Sequence, residues 1–164
     1  MDRTRKYGPA AIGARLRRLS ESLDEDAGRI YAELGFAIQQ RWVGILEQLA
    51  GADALSVGEL ATMLGIRHSS VSQTRRSLEE AGLVESEPDP DDARSRRLRL
   101  SAAGKKLVRR LEPLWEILNQ TSAELDKEAK HLVDALDRLD KALGRVSLYE
   151  RVKQKLPNEK GAKQ

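Results

Sequence analysis

Within thirteen residues, "DPDDARSRRLRLS", the chain turns from acid to base: Asp89, Asp91 and Asp92 give way to Arg94, Arg96, Arg97 and Arg99. Guanidinium groups at that density suit a polyanion, because each is a permanent cation with a fork of donors matched to phosphate. A solvated surface loop has the same composition, so the neighbouring sequence must decide. Twenty residues upstream, Ser69, Ser70, Ser72, Gln73, Thr74, Arg75 and Arg76 form a run of hydrogen-bonding side chains of short or medium reach. A helix selected only for solubility favours Glu and Lys pairs. Serine, threonine, glutamine and arginine at a helix start are what base edges and phosphates in the major groove require.

The elements around these residues follow from periodicity. Ile12, Leu16, Leu19, Leu23, Ala27, Ile30 and Leu34 recur every three or four positions, which predicts one long helix from about Pro9 to Leu34, ended by Gly35. A second helix from about Gln40 to Ala50 buries Trp42, Ile45, Leu46 and Leu49. Ser56 with Glu59 is a capping box; it opens a short helix with Leu60, Met63 and Leu64 on its apolar side, stopped by Gly65. Ser69 or a neighbour caps the next helix, which turns Val71, Leu78 and Ala81 inward and ends at Gly82. Two short helices joined by a tight glycine turn make a helix-turn-helix.

"LVESEPDPDDARSRRLRLS" then reads as strand, turn, strand. Val84 alternates with Glu85 and Glu87, Leu98 and Leu100 alternate with Arg97 and Arg99, and the Pro/Asp cluster reverses the chain. The outward arginines Arg97 and Arg99 are expected to pair with the glutamates of the first strand. Arg94 and Arg96 fall at the tip, where a β-wing beside a recognition helix meets the sugar-phosphate backbone or the minor groove. Asp92, two residues before Arg94, is placed to orient it.

From Ser101 an apolar stripe runs from Leu107 to Val146 at spacings of three and four. A single helix of that length would span roughly 70 Å, so a bend is expected near "DKEAK", with a short last helix at "SLYERV". The terminal stripes exceed what one small winged module can cover, and a homodimer built from both ends accounts for them. The expected fold is mainly α with a small β-hairpin wing: a winged helix-turn-helix at 36–101, a dimerisation helix at 1–35, dimerisation helices at 102–156 and a disordered tail at 157–164.

Composition narrows the class. The 164 residues contain no cysteine and two histidines, His68 and His131, without ligand spacing; thiolate chemistry, disulfides and a zinc site are not expected. There is no nucleophile–base arrangement, phosphate-cradling glycine loop or carboxylate pair, so neither an enzyme nor a cofactor is expected. No apolar run approaches the roughly 20 residues of a membrane span, and "MDRTRKYGPA" lacks the apolar core of a signal peptide, which makes a cytoplasmic protein the expectation. Net charge is only +3, but Ser20 to Met63 hold eight acids and two bases, whereas Arg94 to Arg110 hold eight bases and no acid. Such segregation gives a basic face to a nearly neutral molecule.

"LSVGELATMLGIRHSSVSQTRRSLEEAGLVESEPDPDDARSRRLRLSAAGKKL", with "LGFAIQQRWVGILEQLA" upstream, resembles the MarR family of bacterial transcriptional regulators. The Asp92-x-Arg94 step followed by "LRLSAAGKKL" is its most specific part. "GPAAIGARLRRLSE", "RIYAELG" and the closing "SLYERV" are similar to the regulator half of MarR–acetyltransferase fusions, with no acetyltransferase following. The resemblance implies a homodimeric repressor on a pseudo-palindromic operator in double-stranded DNA, with the helix from Ser69 in the major groove and Arg94 in the minor groove. It also implies release by a small aromatic effector, for which Tyr31, Trp42 and Trp115 are candidate pocket residues; core packing is the commoner role for such side chains. A winged-helix adaptor that contacts protein or RNA is the competing function, and a purely structural coiled coil would leave the Ser/Gln/Arg helix and the arginine-tipped hairpin unexplained.

Overall fold

The structure, a computed structural model, describes residues 3–89 and 96–157. The chain opens with a 3₁₀ segment, Arg3–Ala11, kinked at Gly8, where φ is +52°. The first α-helix, α1 (Ile12–Glu33), therefore starts three residues after Pro9 rather than at it. It ends at Leu34, and Gly35 takes the left-handed φ of +72° that lets the chain leave the helix. Helix α2 (Gln40–Ala50) has the expected bounds, and its four inward residues Trp42, Ile45, Leu46 and Leu49 are all buried.

Next come a two-residue strand, β1 (Leu55–Ser56), and helix α3 (Val57–Leu64). Ser56 and Glu59 close the capping box reciprocally: the Glu59 N–H donates to Ser56 Oγ at 3.1 Å, and the Ser56 N–H to Glu59 Oε2 at 2.7 Å. The Ser56 backbone N–H, and after it the Ser56 side chain, hold the Glu59 carboxyl below its ordinary pKa. Gly65 ends the helix in the left-handed region at φ +63°. Val57 and Leu60 carry the apolar side of α3, while Met63, expected there, is exposed. Met63 and Leu60 are three positions apart, but only Leu60 is turned toward the packed side.

Helix α4 (His68–Glu80) is capped by Arg67, with no side-chain cap bond. Ser69 is the second helical residue rather than the cap. Val71, Thr74 and Leu78 are buried on its inner side, whereas Ala81, expected inside, is exposed at the end of the helix. Strands β2 (Val84–Pro88) and β3 (Arg96–Leu100) pair antiparallel with Glu85 opposite Arg99 and Glu87 opposite Arg97. β1 pairs along the other edge of β3, so the sheet has three strands in the order β1-β3-β2 where a hairpin alone was expected. Val84, Leu98 and Leu100 point into the core.

Helix α5 (Ala102–Glu128) follows directly. It contains Pro113, which has no N–H to offer the preceding turn. The chain then breaks at the end of "DKEAK", at Lys130 and the following His131, both at positive φ, before helix α6 (Leu132–Arg145). Asp126 holds this corner: its backbone oxygen accepts from the His131 N–H and its Oδ1 from the Val133 N–H, both at 2.8 Å. The expected bend and short last helix are present, the latter as α7 (Leu148–Lys155), opened by a Ser147–Glu150 capping box. The chain divides into two compact units, residues 1–111 and 112–164. Most of the proposed tail, residues 158–164, lies outside the described residues. Among those described, no helix is long and apolar enough to cross a membrane.

Candidate nucleic-acid interface

Helical geometry sorts the polar run of α4 into faces. With Val71, Thr74 and Leu78 inward, residues displaced by half a turn look away from the core. Ser69, Gln73 and Arg76, spaced by four and three, occupy that outer stripe and are exposed, with exposed Ser70 on one flank and half-buried Ser72 on the other. Ser69, Ser70, Ser72, Gln73 and Arg76 are thus brought together at the start of one helix. Because no side chain caps α4, the N–H groups of its first turn add a positive end to the same surface. Arg67 and His68, which composition did not single out, are exposed at this end too.

Two members of the run are placed differently. Thr74 is only 6% exposed and belongs to the core stripe, three residues after Val71 and four before Leu78; it cannot reach a groove. Arg75 is folded along its own helix, its Nη1 donating to both oxygens of Glu79 at 2.8 and 2.7 Å. Its guanidinium is committed within the protein rather than presented outward.

The wing shows the same distinction. Asp92 and Arg94 lie outside the described residues. Arg96 does not sit at a free tip: it stands opposite Pro88 in the ladder, and its Nη2 donates to the Ser86 carbonyl at 2.9 Å and to Ser86 Oγ at 3.1 Å. The Ser86 hydroxyl in turn hydrogen-bonds Glu79 Oε1. Partial burial pushes the Glu79 carboxyl up, but the bonds from Ser86 and Arg75 and the charges of Arg75 and Arg96 outweigh it, leaving Glu79 below its ordinary pKa. Arg99 pairs with Glu85 at 2.9 Å as the register demands. Arg97, opposite Glu87, instead donates to the Ala54 carbonyl at 2.9 Å and lies 4.0 Å from Asp89.

The aromatic candidates are all core. Tyr31, Trp42 and Trp115 are 1%, 6% and 6% exposed. The Trp42 indole N–H donates to Ser77 Oγ at 3.1 Å, and Arg41 Nη2 reaches the same oxygen at 3.0 Å, tying α2 to α4. Among the described residues no group of acids and histidines is clustered as metal ligands would be.

Comparison with known proteins bears on the fold. Residues 37–95 match the sequence model of the MarR family. The MepR–DNA complex from S. aureus is similar at a TM-score of 0.68 and 22% identity, over 79% of this chain and 96% of that one. The PcaV transcriptional regulator from Streptomyces coelicolor, in complex with its natural ligand, gives 0.64 and 22%, over 80% and 92%. A probable transcriptional regulator from Pseudomonas aeruginosa gives 0.59 and 25%, over 78% and 96%. No curated protein sequence matches the chain. The matches are to transcriptional regulators, not to enzymes. Residues 37–95 thus match the MarR family model, and the chain has the winged-helix fold seen in solved MarR-family transcriptional regulators.

Proposed function

We propose that this protein is a cytoplasmic bacterial transcription regulator that binds a pseudo-palindromic operator in double-stranded DNA as a homodimer and represses from it. The observation that carries the proposal is the outer stripe of α4, where exposed Ser69, Gln73 and Arg76 are flanked by exposed Ser70 and half-buried Ser72 at a helix start without a side-chain cap. Gln73 and Arg76 are the long-reach members and take base edges; Ser69, Ser70 and Ser72 take phosphates or nearby edges. Arg94, oriented by Asp92, enters the minor groove. That one solved relative is a DNA complex supports the assignment of the ligand.

The homodimer rests on uncovered apolar surface. Leu16, Leu19 and Leu23 of α1 keep their stripe exposed, as do Leu132, Val133 and Leu143 of α6 and Leu148 and Val152 of α7. Exposed apolar stripes of that extent mark association surfaces, and a two-fold pair would set two copies of α4 about one DNA turn apart, or a multiple of it. The proposal extends to release by a small aromatic effector, with one restriction: Ser77 already holds the indole N–H of Trp42.

The test is binding of the purified protein to its own upstream DNA and to a scrambled duplex at several salt concentrations. Gln73→Ala should cost roughly 1–3 kcal/mol on the operator and relax specificity at one position. Sequence-independent weak binding, indifferent to Gln73, Arg76 and Arg94, would refute the proposal and favour an adaptor for protein or RNA.

A further inference from the structure

Glu79 lies on the side of α4 that faces the wing, between two arginines from different elements. Arg75, one turn earlier, places Nη1 at 2.8 and 2.7 Å from its two oxygens. Arg96, from β3, donates to the hydroxyl and carbonyl of Ser86, and that hydroxyl spends its single proton on Glu79. The Ser86 lone pairs can therefore accept from Arg96 at 3.1 and 3.4 Å, and from Arg75 at 3.4 Å. One carboxylate, relayed by one hydroxyl, fixes two guanidinium groups. The Arg75 and Glu79 side chains are 17% and 29% exposed, so their attraction is screened less than that of an open surface pair.

These two cations belong to the recognition helix and the wing, and a guanidinium free at either place would find phosphate. We infer that Glu79 is a positioning residue that withholds Arg75 and Arg96 from DNA, keeping sequence-independent affinity low so that the outer stripe of α4 decides where the domain binds. The inference rests on the DNA-binding function proposed above. In the wild-type protein Arg75 and Arg96 then add nothing to the counterion release that accompanies binding. Without the Glu79 charge, two half-buried guanidinium groups lose the carboxylate that holds them, and both swing out.

The salt dependence of binding reads this directly. Each phosphate neutralised contributes about 0.9 to the slope of log K against log salt, so two released arginines steepen it by up to about 1.8 per winged domain. From 200 mM down to 50 mM salt that is roughly a tenfold additional gain. Glu79→Gln, with helical circular dichroism retained, is expected to show the steeper slope, tighter binding to a scrambled duplex and a narrower operator-to-scrambled ratio. Glu87→Gln removes one exposed wing carboxylate without releasing an arginine and should leave the slope near wild type. Arg75→Gln alone should also leave it unchanged. A folded Glu79→Gln variant with the wild-type slope and scrambled-duplex affinity overturns the inference, as does a slope change of equal size in Glu87→Gln. A slope lowered by about 0.9 in Arg75→Gln overturns it independently, even if Glu79→Gln does not fold, because Arg75 would then already be on a phosphate. Wild-type protein that binds no duplex at any salt overturns the DNA-binding function itself, and this inference with it.

Discussion

Replacing Gly104 by alanine sets two effects of opposite sign against each other. Gly104 is buried near the start of α5, where alanine is the better helix former by about 1 kcal/mol. Against that, a Cβ at this position would lie 2.0 Å from the Leu83 carbonyl oxygen, 3.1 Å from its carbon and 3.3 Å from Leu100 Cδ2. The oxygen would have to retreat by more than about 1 Å to reach an ordinary C···O separation. It is not free to do so. It accepts the Ser101 N–H at 3.0 Å, while the Ser101 hydroxyl donates to the Gly82 carbonyl at 2.6 Å and accepts the Gly104 N–H at 3.0 Å. Overpacking costs about 1–3 kcal/mol, and a strained hydrogen bond adds about 1 kcal/mol. After the gain in helix propensity, Gly104→Ala should lose about 1–3 kcal/mol. Urea unfolding at fixed protein concentration measures it, with Gly28→Ala as the contrasting case. No atom lies within 4 Å of a Cβ at Gly28, so that variant should gain up to about 1 kcal/mol. A Gly104→Ala protein as stable as its parent would refute the reasoning, because the close approach of α5 to the end of α4 would then be dispensable.

Three further expectations concern other parts of the molecule. Ser77→Ala strands the buried indole N–H of Trp42 and should cost about 1–3 kcal/mol, read by unfolding and by a changed tryptophan fluorescence; an unaltered spectrum and midpoint would count against the α2–α4 tie. The Glu79 carboxyl lies below its ordinary value of 4.5, so its contribution to stability is full above pH 4.5 and fades as pH falls through the lower folded-state value. The acid limb of the stability curve should accordingly be shallower in Glu79→Gln, and superimposable limbs would contradict the assignment. Leu16→Glu combined with Leu19→Glu puts two charges on the exposed α1 stripe and should halve the mass found by sedimentation equilibrium; a mass equal to one chain in the parent would remove the basis of the homodimer.

Local signals carried much of the architecture. Helix α2 and the α3 capping box depend on contacts a few residues apart, and both were readable from spacing alone. The corner at residues 129–131 was expected because one helix over that span would have been too long. Strand β1 has two residues and hence no periodicity to detect; it exists only because Leu98 and Arg97 offer it a partner edge. Hydrogen-bonding type alone groups Thr74 with the outward residues of α4, whereas its spacing from Val71 and Leu78 puts it in the core stripe. Arg75 had a similar signal, an acid four residues on, whereas the Arg96–Ser86 bond and the Trp42–Ser77 tie join distant positions and left no local mark.

Ser56 is the last residue of β1 and also the N-cap of α3, so strand and helix share one residue without an intervening hinge. The strand it ends is paired to β3, and the Arg97 side chain clasps the Ala54 carbonyl on the same edge. The wing therefore has no pivot of its own. Tilting it relative to α3 would break the ladder, the cap and that clasp together. These joints make the described part of the winged helix-turn-helix one body, and a signal acting on the proposed DNA grip would have to move this body whole rather than bend it.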